Sequence, residues 1–385
     1  MQEDVGNAAH NGKIWQYTIA TDSLKMVAKH DPLKFGDIGL GATAPFNVDE
    51  ETSGIIDMQD ILEPGMFLSA DQAHYLIPNA AVEGGQLFTL FNPDTYNSFV
   101  KTAGTGPSTT KSPYVLPTTP GVITTAILTT QDTTSTGYMM AGIPDGLGAF
   151  DNGDGTFTLL MNHELTNTSG VTRAHGSIGA FVSKWKIRKS DLAVLSGSDL
   201  MQNVKLWNGT GYNTYNSSSP STSAIFGRFC SADLPPVSAF YNAATGMGTK
   251  ERIFMNGEET NDESRAMAHI VTGPNGGTSY ELPWLGKSAW ENSVAAPNTG
   301  DKTVVGLLND GTDGQVYFYI GTKTNTGTEI DKAGLNGGHP WAVKVTGFPV
   351  ERVNSTTINP PPAPGTRFRS EEHTSELQSR LHLVC

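Results

Sequence analysis

The chain has 385 residues, 43 glycines, 22 prolines and a formal net charge of −13. That length can bury the core of one large all-β domain or two ordinary ones, and the Gly, Pro, Thr, Ser and Asn content favours short strands and turns over helices. The acidic balance offers no basic stripe for phosphates, which argues against nucleic-acid binding. It suits divalent cations, above all Ca²⁺, although a surface kept soluble by self-repulsion is the simpler account of the charge alone.

In chain order, the N-terminal MQEDVGNAAHNGK has neither the basic nor the apolar region of a signal peptide. Residues 11–31 predict a hairpin, with alternating apolar Ile14, Trp15, Tyr17 and Ile19, a Thr-Asp-Ser turn and a second strand. From Asn97 to Pro120 the composition is that of a linker. The stretch Ile143 to Glu164 opens on a Pro-Asp-Gly turn and reaches the acidic, glycine-rich DNGDGT at Asp151–Thr156. It continues as the apolar strand TFTLLMN and ends on Asn162-His163-Glu164. DNGDGT lacks the later bidentate Glu of an EF-hand loop and reads as a hairpin turn. Further hairpins are predicted at Ile178–Gly197, at Ala239–Met255 around Thr245-Gly246, and at Gly314–Thr328 with a weaker second half. No apolar run reaches the ~18–20 residues of a membrane helix. Repeated hairpins predict an all-β fold, a β-propeller-like array of antiparallel blades, with a generic β-sandwich as the alternative.

The segment Arg369–Ser379, RSEEHTSELQS, is the translation of a common sequencing-adapter oligonucleotide and follows a Pro-rich run. This tail is expected to have no part in the fold, which removes His373, His382 and Cys385 from the chemistry. Cys230 is then the one cysteine to consider, and no intrachain disulfide framework is available.

Several spaced motifs carry a family resemblance: PDGLGAFDNGDGTFTLLMNHE, RAHG at Arg173–Gly176, FGRFCSADL around Cys230, RIFMNGEET and WENSVAAP. From about Tyr114 to Thr346 the chain resembles the N-terminal part of the PhoX-type alkaline phosphatases, secreted bacterial β-propeller proteins. Gln2 to Gln86, with QEDVGN, NGKIWQY, FNVDEETSGIIDM and SADQAHY, resembles the C-terminal part of the same family. The order is therefore inverted relative to the family, and a propeller built this way can lack a blade. The implied organisation is residues 1–96 as the C-terminal-like part, 97–120 as linker, 121–350 as the N-terminal-like part, and 351–385 as Pro-rich linker and adapter-derived tail.

The resemblance implies a phosphatase that hydrolyses small phosphate monoesters with a calcium and iron cluster in the propeller channel. It implies secretion or a periplasmic location, and a monomer is expected. Matched position by position, it assigns Cys230 as sulfur ligand to iron. Glu258, Glu291, Glu3, Glu51 and Glu164 become carboxylate ligands, and Arg228 or Arg173 a fork for phosphate. His163 is a catalytic candidate. Carboxylates forced together raise one another's pKa unless a cation neutralises them, and one thiolate among oxygens favours a softer metal at one position.

Each residue also has a plainer reading. A lone cysteine is usually a small buried hydrophobe. Glu258 and Glu259 can be a solvated strand end, Glu291 a turn cap, and His163 a satisfied core histidine. Asp310, Gln72 and His74 are open between turn or strand end and ligand. No GxSxG, HExxH, P-loop or GxGxxG motif is present, which takes most of the support from the serine-hydrolase and nucleotide-dependent classes. A non-catalytic, calcium-stabilised propeller that binds a ligand is the alternative from another class.

Overall fold

The computed structural model describes residues 1–5, 8–48, 50–94, 104–310 and 316–345, with the strand backbones Arg352–Asn354, Thr357–Ile358 and Phe368–Glu372. The fold is all-β, with only short helical turns, among the described residues, between largely antiparallel sheets. Among the described residues, no helix is long and apolar enough to cross a membrane. The chain forms two compact units, Met1–Gln202 with Asn216–Ala232, and Asn203–Tyr215 with Asp233–Cys385.

Among the described residues, the first unit contains three larger sheets and a two-stranded ribbon of Leu76–Ile77 with Val82–Glu83. β1 (Lys13–Thr18) and β2 (Ser23–His30) form the predicted first hairpin, joined by β6 (Val115–Pro117). The second sheet runs β3 (Glu51–Asp57), β4 (Met66–Gln72), β5 (Gln86–Phe91) and β7 (Ile123–Thr129), with Gly104–Thr105 at its edge. The third is a four-stranded meander of β8 (Pro144–Asp151), β9 (Thr156–His163), β10 (Phe181–Arg188) and β11 (Val194–Asp199).

β5 explains the stacking. Side chains alternate across a strand, so Leu87 and Phe91 share a core with Phe157, Leu159 and Trp185 of the third sheet. Phe88 and Leu90, on the other face, share one with Ile14, Val27 and Val115 of the first. Each of these side chains is worth ~1.5–3 kcal/mol when fully buried. Sheets packed face to face in this way are blade-like, in keeping with the propeller-like expectation.

In the second unit β12 (Asn203–Trp207), β13 (Tyr212–Tyr215), β14 (Ile253–Glu258), β15 (Ala266–Ile270) and β16 (Thr278–Glu281) lie in the order β13-β12-β16-β15-β14. β17 (Trp290–Ala295), β18 (Lys302–Asn309), β19 (Val316–Thr322) and β20 (His339–Val345) form an antiparallel meander. Ile253, Met255 and Ile270 share their core with Trp290, Val305, Tyr317 and Tyr319.

Several sequence expectations change. Pro144-Asp145-Gly146 is the start of β8 and not a turn: Ile143, at φ 49, makes the sharp bend, and Pro144 opens the strand where it gives up no ladder bond. The hairpin at Ala239–Met255 shrinks to Tyr241–Asn242 and Met247–Gly248. The second half of Gly314–Thr328 is no strand; it leads into Glu329–Lys332, whose start is fixed by a Thr328–Asp331 capping box. Inside the composition-defined linker, residues 104–120 supply β6 and Gly104–Thr105, and the two units do not divide there. In the tail, the backbone of Phe368–Glu372 pairs antiparallel with β20, occupying an otherwise open sheet edge. His373, His382 and Cys385 lie outside the described residues. The DNGDGT hairpin turn is as expected: Asn152 N–H donates to Thr156 O at 3.1 Å, closing β8 onto β9.

A buried His–Asp pair is among the polar contacts that tie the first two sheets. Asp71 Oδ1 of β4 meets His30 Nε2 of β2 at 2.5 Å, and His30 Nδ1 faces Gly12 O at 2.9 Å. Burial opposes a charge on His30, yet the Asp71 carboxylate outweighs it and raises the imidazole pKa.

Candidate metal centre in the first unit

The strand ends of the second and third sheets bring their polar residues together. Glu51 opens β3 directly across from Gln72, which closes β4. On the third sheet, Pro144 at the start of β8 pairs with His163 at the end of β9, so Asp145 and Glu164 flank that pair. A register shift between Pro144 and Leu147 gives Asp145 the local kink that re-aims a side chain. Two glycines permit the approach. Gly54, at φ +43, would place a Cβ 2.6 Å from Asp145 O, and a Cβ on Gly146 would lie 2.5 Å from Ala232 N.

The triplet Asn162-His163-Glu164 divides its work by strand alternation. Asn162 Nδ2 donates to Cys230 O at 2.6 Å and so holds the backbone of the strand Phe229–Asp233. His163 turns into the core, with Nδ1 at 3.0 Å from Gly142 O and Nε2 at 2.9 Å from Ser183 Oγ, its ring stacked on Phe181. Burial, helped by the charge of Arg173, pushes its pKa down to about 3. Of the two expectations for His163, the geometry fits the satisfied core histidine and corrects the catalytic one, because both ring nitrogens are engaged and the residue has no exposed surface. Glu164 alone reaches the cluster.

There, ligand atoms of Asp145, Glu164 and Cys230 all lie within 4.8 Å of one another. Cys230 Sγ is 3.3 Å from Asp145 Oδ2. Gln72 Nε2 donates to Asp145 Oδ2 at 3.0 Å and to Glu164 Oε2 at 2.8 Å. Arg228, at φ 42, donates from Nε to Glu164 Oε1 at 2.8 Å while 48% of its side chain stays exposed. Glu51 hydrogen-bonds Asp4. Burial first, then that bond and the charges of Asp145, Asp4 and Glu164, push the Glu51 carboxyl up to about 11. Four acids and a thiol thus share a region with one arginine, and Glu51 is the acid whose pKa this environment raises.

The donor set fits the calcium and iron that the resemblance implies. Carboxylates are hard oxygen ligands for Ca²⁺, and the single sulfur is the kind of donor that selects a transition metal. Cys230 and Glu164 lie together in this cluster, Glu51 interacts with its acids, and Arg228 pairs with Glu164.

Glu3 does not join them. Its Oε1 accepts from Trp15 Nε1 at 2.7 Å, and its Oε2 faces Lys13 Nζ at 3.8 Å and His10 Nε2 at 3.7 Å. The reason is a one-residue register: successive side chains of an extended segment point to opposite sides, so Asp4 faces Glu51 while Glu3 turns away. Arg173 is also placed elsewhere. Its guanidinium lies 3.7 Å over the Phe181 ring with Nη1 at 3.7 Å from Asp199 Oδ1, and none of its ion pairs reaches the acid cluster. In the second unit, Glu258 closes β14 and accepts from Arg265 Nε at 2.5 Å, and Glu291 sits at a register shift of β17. Asp4 and Asp145 are the residues that sequence reasoning missed. QED offered two acids with no strand phase to choose between them, and Asp145 was hidden in what reads as a turn signal.

No family model matches the chain, and no curated protein matches it. Among solved structures, "Pseudomonas fluorescens PhoX in complex with vanadate, a transition state analogue" aligns at 11% identity and a TM-score of 0.33. The alignment covers 54% of this chain and 46% of that one, so the chain spans less than half the neighbour's length. At this distance the functional argument rests on the residues themselves.

Proposed function

We propose that the acid–thiol cluster of the first unit holds calcium and iron and that the protein is a PhoX-like phosphatase acting on small phosphate monoesters. The observation that carries this reading is the convergence of Asp145, Glu164 and Cys230 within 4.8 Å, with Glu51, its pKa raised by burial and by Asp4, Asp145 and Glu164, beside them. An acid in that condition is stabilised once a cation arrives. Asp145, Glu164, Glu51 and Asp4 would supply oxygens and Cys230 the sulfur. Glu258 and Glu291 remain ligand candidates from the resemblance. Bound cations would supply Lewis-acid charge to the phosphoryl oxygens.

The chain's own residues do the rest. Arg228 holds Glu164 through Nε, and with about half of its side chain exposed it is the cationic group of the cluster that an anionic substrate would meet. Asn162 fixes the Cys230 backbone, so the sulfur is presented from a rigid strand end. A secreted or periplasmic monomer belongs to the same proposal.

The test is metal content by plasma mass spectrometry, together with turnover of a chromogenic phosphate monoester, on the unaltered protein and on Cys230→Ser. Iron with calcium, and turnover lost in Cys230→Ser, is the expected result. Calcium without turnover in the unaltered protein would instead favour the non-catalytic binding propeller. Protein that takes up no metal sinks both.

A further inference from the structure

We propose that the Gln72 carboxamide has two working positions: its NH₂ group stands in for a cation between Asp145 and Glu164, and when a cation binds, the amide turns over so that Oε1 becomes a ligand. This rests on the cation reading of the cluster.

The geometry leads there directly. Gln72 is buried, with 1% of its surface exposed, and its Nε2 makes contacts of 3.0 Å to Asp145 Oδ2, 2.8 Å to Glu164 Oε2 and 3.4 Å to Ser53 Oγ. A carboxamide nitrogen has two protons, and two acids from neighbouring positions of the third sheet use it. Calcium binds oxygens at ~2.3–2.6 Å. An ion bridging the same two oxygens must therefore take the place that Nε2 fills, and no N–H donor can face a cation.

The backbone of Gln72 cannot retreat. It is the last residue of β4, paired across to Glu51 on one side, and its predecessor Asp71 is paired to Gln86 on the other. The movable part is the terminal amide. Rotation about its last side-chain bond exchanges nitrogen for oxygen with almost no change in shape.

A neutral oxygen also suits this position. Asp145 and Glu164 already face this position at 3.0 and 2.8 Å, so a further carboxylate at position 72 would worsen the repulsion in the absence of a cation. A carboxamide serves both states. It donates to acids when no cation is present, and it accepts the cation without adding charge.

Two substitutions test the two positions separately, by calorimetric titration of the full chain with CaCl₂ and by thermal melting in chelator. Gln72→Met keeps the length but offers neither donor nor acceptor; Ca²⁺ affinity should fall about tenfold or more. Gln72→Glu keeps the shape and offers only oxygens. It should keep or tighten Ca²⁺ binding, while melting at a lower temperature than the unaltered protein in chelator. Gln72→Met that binds Ca²⁺ as tightly as the unaltered protein, or more tightly, would overturn the ligand position. Gln72→Glu that melts unchanged in chelator would overturn the stand-in. An unaltered protein that binds no Ca²⁺ would remove the cation reading, and this inference with it, which is a different result from either variant's failure.

Discussion

Asp71 and Gln72 are consecutive residues of one strand, yet they serve opposite kinds of polar cluster. Asp71 turns to the first sheet and finds His30, whose raised pKa lets the pair carry one charge of each sign. Gln72 turns to the third sheet and finds Asp145 and Glu164, with Glu51 and Asp4 close by. In the first cluster the Asp71 carboxylate faces a base, His30. The second is oversubscribed with acid and improvises relief through an amide, a thiol and a retained proton. Burial alone therefore does not separate structural polar groups from functional ones; unmet charge does.

The largest way to break this contrast is His30→Ala. It leaves Asp71 buried with no counter-charge and should cost about 3–5 kcal/mol in urea unfolding near pH 6. Because the His30 pKa is raised on folding, the pair's contribution is fully present below the unfolded value of 6.5 and fades as pH rises through the folded value. The gap between variant and parent should narrow in alkaline buffer; a gap that is constant with pH would show that the pair carries no charge.

Next comes Glu51→Gln, with the opposite sign. The unfolded chain releases the Glu51 proton near 4.5 and the folded chain holds it to about 11, so this group lowers stability progressively as pH rises between those values. In chelator at pH 7 the variant should be more stable than its parent by about 2 kcal/mol, with a flatter pH profile. A loss of stability would mean that the crowding of acids is relieved some other way.

Cys230→Ser sharpens the comparison with the smallest effect. Its hydroxyl can still donate to Asp145, so unfolding in chelator should change by less than about 1 kcal/mol even though metal content and turnover are lost. A large loss of stability would make Cys230 a packing residue.

Much of the scaffold was legible in the sequence. The hairpins at residues 11–31 and 178–197 and the DNGDGT turn follow from apolar alternation broken by Asp, Ser and Gly. The site was legible in its kinds of residue more than in its members. Cys230, Glu164, Glu51 and Arg228 gather in one unit. Glu3 fails because choosing between adjacent acids needs the phase of a strand, which only Trp15 and Glu51 on either side reveal. Asp145 was missed because Pro-Asp-Gly has the chemistry of a turn, and the bend was instead made by Ile143. His163 could have gone either way until Ser183, twenty residues away, was seen to satisfy it. Composition also gave residues 104–120 to a linker, since short strands such as β6 leave too few apolar positions to register.

The chain separation within the cluster has a kinetic consequence. Gln72 and Glu164 are 92 residues apart, and Cys230 and Asp145 are 85 apart. Contacts of that range form only after the loops between them have closed, and they belong late on the folding route. A cation therefore has no partly built cradle to template early on. It captures the unit after closure and, by mass action, holds closed what the acids alone would leave under strain.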